Sequence, residues 1–189
     1  MRKPQRLYDL VLPADADYKM ESIYERDKSN FESSDKWLYV GADARNPNYA
    51  KIGMTMGDLV SRSYSSANPG FYLFCAFQCE QSTTKSQLEE IERSALCYLD
   101  SVFKREDGTT KRVCHFESGR ISECYYDIDF EYFFQLLHDY LYRNHARYFQ
   151  INGLESNDRD IVGDFLDCEF NQHLSREDIN RYKEMILQF

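Results

Sequence analysis

Residues 37–62 read WLYVGADARNPNYAKIGMTMGDLVSR. Lys36–Ala44 and Ala50–Thr55 are rich in apolar and β-forming residues and are predicted as two strands. The segment between them, Arg45-Asn46-Pro47-Asn48, has turn chemistry, so the pair reads as neighbouring strands with a polar loop. Gly57–Ala67 then reads as a short helix, stopped by the breaker triplet Asn68-Pro69-Gly70. Phe71–Cys79, FYLFCAFQC, is apolar almost throughout, the pattern of a strand covered on both faces.

Further out, Thr84 with Gln87 three residues later forms a capping box for a helix running to about Phe103. A hairpin is predicted around Ser118-Gly119, between VCHFE and RISECYY. An aromatic helix follows over about 129–148, then a polar connection at Asn152-Gly153. A helix is expected near Ile161–Phe170, and a last one is capped by Ser175 with Asp178. The order β-β-α-β-α-β gives an α/β class. The expected architecture is a small mixed sheet flanked by helices with an added helical C-terminal region. Three segments are expected: an extension over 1–35, a catalytic-type domain over 36–126, and an acidic, aromatic helical region over 127–189.

The 189 residues carry 23 Lys and Arg against 32 Asp and Glu. That balance argues against nucleic-acid binding by the whole surface. The excess is unevenly placed. Residues 36–126 hold 11 cations and 11 anions, whereas residues 127–189 hold 6 and 13. The central segment is therefore neutral, and the flanks are acidic. No apolar run approaches the roughly 20 residues of a membrane helix. The apolar stretch near the start is broken at Asp9, so no signal peptide is expected. Six cysteines without CxxC or framework spacing read as free thiols in a reducing cytoplasm, and buried ones are expected.

Candidate chemistry starts from Glu92. On the helix after Thr84, Leu88, Ile91, Ala95, Leu99 and Val102 form one apolar stripe. At about 100° per residue, Glu92 falls roughly 40° from Leu88, inside that stripe, whereas Glu89 and Glu90 fall outside it. A carboxylate facing the core needs a cationic partner or a metal. Lys51 sits in a strand between apolar neighbours. Arg62 lies on the short helix, four residues after Asp58, where an ordinary surface pair would also account for it. Tyr39 is one of fifteen tyrosines and would equally serve the core. The four histidines (115, 138, 145 and 173) form no metal-ligand pattern.

Taken together, these residues resemble the GIY-YIG nuclease superfamily, in the branch with KIG in place of YIG. Trp37-Leu38-Tyr39 stands where GIY stands, and Lys51-Ile52-Gly53 supplies KIG. Arg62 follows eleven residues after Lys51, Ile91-Glu92-Arg93 falls on the glutamate helix, and Asn68-Pro69 precedes the third strand. Glu123-Cys124-Tyr125-Tyr126 resembles the branch's closing Glu-Trp-Phe. The resemblance covers about residues 36–126. It implies a metal-dependent DNA endonuclease, nicking or cutting both strands, from a phage or mobile element. By that resemblance Tyr39, Lys51 and Arg62 are catalytic, Tyr64 is auxiliary, and Glu92 holds Mg2+ or Mn2+. DNA is the implied partner, and residues 127–189 are open to homodimerisation or a protein partner. Two other readings stay open. The GIY glycine is replaced, and Met54 stands where some members carry histidine, which suits a degenerate nuclease fold that binds without cutting. The acidic charge alone would suit a DNA-mimicking inhibitor.

Overall fold

A computed structural model describes residues 20, 24, 36–57, 59, 68–155 and 161–188. Its centre is a six-stranded sheet. β1 (Trp37–Asp43), β2 (Asn46–Thr55) and β3 (Phe71–Gln78) form the middle. After helix α1 (Lys85–Val102) come β4 (Arg112–Cys114) and β5 (Ile121–Tyr125). Helix α2 (Phe130–His145) runs on through a 3-10 turn at Ala146–Tyr148. β6 (Ile151–Glu155), β7 (Ile161–Leu166), β8 (Cys168–Phe170) and helix α3 (Arg176–Met185) complete the order. The sheet order is β4-β5-β2-β1-β3-β8, and β6 and β7 pair separately. Every neighbouring pair is antiparallel, so the expected mixed sheet is corrected to an antiparallel one. Among the described residues no connection is a long crossover helix between parallel strands, the element a parallel pair requires.

Local chemistry explains most boundaries. β2 starts at Asn46, earlier than expected, because the β1–β2 turn needs only Ala44 and Arg45. The Asn46 side chain still accepts from the Asn48 N–H, and Asp43 accepts from the Arg45 N–H, so the turn residues act from the strand ends. Thr84 caps α1 through the expected box with Gln87. Asp129 caps α2 and Ser175 caps α3, each accepting from an N–H three residues on. Asn68-Pro69-Gly70 turns into β3, with Asn68 donating to Asp43 at 2.7 Å.

The main core lies between one face of the sheet and the helices. Leu38, Val40, Ala50, Ile52, Phe74 and Phe77 meet Leu88, Ile91 and Leu99 of α1, and Phe133, Phe134, Leu137 and Leu141 of α2. On α1 the buried stripe takes Leu96, while Val102 stays 38% exposed at the last position of the helix. A smaller cluster of Trp37, Tyr39, Leu73 and Ala76 covers the opposite face, so β3 is buried on both sides as its apolar run predicts.

The largest correction concerns residues 151–170. The expected helix near Ile161–Phe170 is two strands, and Asn152-Gly153 lies within a strand. Gly163 explains part of this. A Cβ there would stand 2.4 Å from the carbonyl oxygen of Gln188, a close backbone approach that suits strand pairing. β8 then pairs with β3, so residues beyond 127 share the central sheet and the main core with residues 36–126. The added region is thus mixed strand and helix. Among the described residues no helix is long and apolar enough to cross a membrane. The six cysteines are free thiols, but only Cys75 and Cys79 are buried; Cys97 and Cys114 fall on solvent-facing positions.

Candidate active site

Strand alternation sorts the central residues onto two faces. Leu38, Val40 and Ala42 point to the helices, and Trp37 and Tyr39 point away. Tyr39 lies opposite Gly53, and Gly41 opposite Lys51. Residues directly opposite share a face, so Tyr39, Lys51 and Gly53 lie together on the outer face of the sheet. Close packing fixes them. A Cβ at Gly53 would sit 2.4 Å from Cζ and the hydroxyl of Tyr39, so the ring lies against the bare backbone of Gly53. A Cβ at Gly41 would likewise run into the Phe71 ring, 2.2 Å from Cε2. The Lys51 ammonium stands 6.0 Å from the centroid of that same ring. Phe71 therefore forms one wall beside the lysine.

The β2–β5 register ends at Lys51 and Cys124. At that end Glu123 brings its Oε2 to 3.9 Å from the Lys51 Nζ, with both side chains partly exposed. Glu92 approaches from α1. Desolvation pushes its carboxyl up to about 7 from the ordinary 4.5; the charges of Glu123 and Glu89 add to the rise, and Lys51 opposes it. Glu92 forms no ion pair among the described residues. Helix and sheet thus bring Lys51, Glu92 and Glu123 into one electrostatic group. Glu123 was read from the sequence only as part of a closing motif. Its strand position, next to the end of a ladder that pairs with Lys51, is the signal that could have found it.

Of the expected residues, Tyr39 and Lys51 share a face and Glu92 interacts with Lys51. Tyr39 is only 6% exposed and packs with Trp37, Leu73 and Ala76. Arg62 and Tyr64 lie outside the described residues, as does most of the expected helix 57–67. Glu92 of α1 and the partly exposed Glu123 of β5 lie near enough for their charges to interact, and carboxylate oxygens of this kind suit a hard divalent cation. No group of three or more metal-binding side chains occurs among the described residues. Magnesium, which keeps several waters and binds through one or two carboxylates, fits that count better than a metal needing a full protein cage.

Other chemistry-bearing residues fall elsewhere. Ser94 Oγ lies 3.1 Å from His145 Nε2, but it donates to the Ile91 carbonyl at 2.9 Å, so the histidine is not placed to take its proton. His138 is fully buried, and its Nε2 accepts from the Leu166 N–H at 3.1 Å. A groove of about 550 Å3 runs along the outer face between Phe71, Leu73, Ala76, Phe170 and His173. It contains neither carboxylate of the candidate site and touches the group only through Phe71. Geometry and charge, not cavity size, single out Lys51, Glu92 and Glu123.

Comparison with known protein families, with curated proteins and with solved structures finds no match to this chain.

Proposed function

We propose that this protein is a metal-dependent DNA endonuclease that hydrolyses phosphodiester bonds, with an active site built from Lys51, Glu92 and Glu123, and with Tyr39 on the sheet face that Lys51 shares. The observation that carries this reading is the partly desolvated Glu92, with no ion-pair partner among the described residues, set next to the Lys51–Glu123 pair. The resemblance to the KIG branch of the GIY-YIG nucleases supplies the reaction class and the phage or mobile-element setting.

Glu92, with Glu123 as a second oxygen donor, would hold Mg2+ or Mn2+, which supplies charge neutralisation at the scissile phosphate. Lys51, once its ammonium has given a proton to solvent, takes the proton of the attacking water as a neutral amine, and the Glu123 carboxylate 3.9 Å from its Nζ orients it. Phosphorus gains the water oxygen and loses one ester oxygen, which leaves with a proton from solvent. Tyr39, held against Gly53, orients the water or the phosphate through its ring hydroxyl. Arg62 belongs to the same proposal as the cation for the charge that develops on phosphorus, with Tyr64 as an auxiliary.

Incubation of the protein with supercoiled plasmid, with Mg2+ or with EDTA, tests the reading. Nicking or linearisation that requires the metal and disappears in Glu92→Ala is the expected result. Undiminished cleavage by Glu92→Ala sinks the site assignment. The near-complete burial of Tyr39 favours one second reading, a degenerate fold of this kind that binds DNA or a protein without cutting. Retained DNA binding with no metal-dependent cleavage of any substrate would select it.

A further inference from the structure

Phe116 is 99% exposed, whereas the next most exposed large apolar residue among those described, Tyr132, is 50% exposed. It sits at the tip of the β4–β5 hairpin, and the tip is held in shape. The His115 N–H donates to the Arg120 carbonyl at 2.8 Å, and the Gly119 N–H donates to the His115 carbonyl at 2.8 Å. The Arg120 N–H donates to Ser118 Oγ at 3.3 Å. Gly119 takes a φ of +63°, the left-handed conformation that the turn requires. Below it, Cys114 pairs with Ile121. A phenylalanine is thus presented to solvent by a hydrogen-bonded support.

The segment that leads into and through the hairpin is cationic in an acidic chain. Residues 104–120 hold five Lys and Arg against three Asp and Glu, while the whole chain carries a net −9. Arg112 pairs with Asp100. Lys104, Arg105, Lys111 and Arg120 pair with no carboxylate among the described residues. Among the described residues Arg105 and Lys111 donate to backbone carbonyls, of Arg112 and Asp127. The same strand that leaves the hairpin carries Glu123 to the candidate site. Ile121 and Glu123 are two residues apart, about 7 Å along the strand.

We infer that the β4–β5 hairpin is a DNA-contacting element in which Phe116 wedges against a base step while Arg120 and its neighbouring cations hold the phosphates. The nuclease reading supplies DNA as the partner. The choice also stands on charge and size. A lone aromatic at a hairpin tip offers far less than the roughly 1,200–2,000 Å² of a stable protein interface, but it is the size of a wedge that unstacks one base step. Cations without carboxylate partners on the same hairpin as an exposed aromatic are the combination that tracks a nucleic-acid backbone and stacks on its bases. On this assignment the wedge acts a few base steps from the phosphate that is cut.

The test uses the full chain carrying Glu92→Gln, so that binding is read without cleavage, and a short DNA duplex with 2-aminopurine at successive steps. Binding should raise the 2-aminopurine fluorescence at one step. Phe116→Ala should weaken binding about tenfold and abolish that rise, and Phe116→Trp should retain both. Arg120→Gln should weaken binding and lower the salt slope by about one. Circular dichroism confirms that each variant is folded. Equal affinity and an equal fluorescence rise in folded Phe116→Ala overturn the inference, even if the parent chain cleaves DNA and the nuclease reading stands. A fluorescence rise that depends on Phe116 in a chain that never cleaves supports the hairpin and removes the nuclease. Loss of self-association in Phe116→Ala, with DNA binding unchanged, assigns the tip to a contact between copies and overturns it as well.

Discussion

Glu92 is held at about 7 by burial, so the folded chain binds its proton more tightly than the unfolded chain, whose carboxyl keeps the ordinary 4.5. The stability this gives is fully present below about 4.5 and is lost as pH rises to about 7, levelling off above. Glu92→Gln should therefore melt at a higher temperature than the parent chain near pH 8, and at about the same temperature near pH 4. Thermal melts of both chains at the two values check this. An equal melting temperature near pH 8 would mean that the carboxylate is not desolvated. Magnesium near pH 8 should raise the melting temperature of the parent chain and leave Glu92→Gln unmoved, because binding to the folded state alone stabilises it. The glycine of the KIG segment gives a second test at this scale. Gly53→Ala forces the buried Tyr39 ring away from contacts with Trp37 and Leu73, which should cost about 1–3 kcal/mol in denaturant unfolding. Unchanged stability would show that Tyr39 swings aside freely.

The elements differ in how readable they were. α1 was legible because its boundary rests on local chemistry: Thr84 and Gln87 carry their own hydrogen-bond logic wherever the chain goes. Glu92 was legible for the same reason, since a helix fixes which residues share a face. β6, β7 and β8 were not legible. IVGDFLDCEF holds the β-favouring Ile161, Val162, Phe165 and Phe170 but no sustained alternation, and its state is decided by partners distant in sequence: Asp164 exchanges hydrogen bonds with Gln188, and Cys168 lies opposite Phe77. Glu123 was hidden likewise, because its value depends on where the β2–β5 ladder stops. His138 shows what the helix pattern concealed. It lies on the core face of α2, where burial lowers its pKa against the opposing charges of Asp139 and Asp164. Its Nδ1 is 3.6 Å from Asp139 Oδ1, too long for a hydrogen bond, and is otherwise unpartnered. A depressed histidine contributes stability above its ordinary 6.5 that is lost as pH falls through the folded value, opposite in sign to Glu92. His138→Gln can still accept from the Leu166 N–H, so its melting temperature should fall less than that of the parent chain between about pH 7 and pH 5. A parallel fall in both chains would place the acid sensitivity elsewhere.

For the whole molecule, the decisive fact is that the acidic C-terminal third is built into the same core as the candidate site. Phe74 of β3 packs edge-on against Phe130 and Phe134 of α2, Phe170 of β8 and Tyr182 of α3, with ring centroids 4.8 to 5.6 Å apart. Four aromatic rings from beyond residue 127 therefore close on one strand of the central sheet. Phe133, Phe134, Leu137 and Leu141 are fully buried, and losing them would expose the helix face of β1, β2 and β3. Each buried side chain of that size is worth about 1.5–3 kcal/mol, so four of them together equal a typical domain's whole net stability. Residues 36–126 alone should then fail to fold, although they contain Tyr39, Lys51, Glu92 and Glu123. The full chain should unfold in one cooperative step, with far-ultraviolet circular dichroism and tyrosine fluorescence following the same denaturant curve. Two separated transitions, or a folded and soluble 36–126 segment, would show that the C-terminal third is an independent module. That outcome would reopen its use as a detachable partner-binding region. A single transition ties any activity at Lys51 and Glu92 to the packing of α2 and β8, and substitutions there should reduce activity through stability without touching the site.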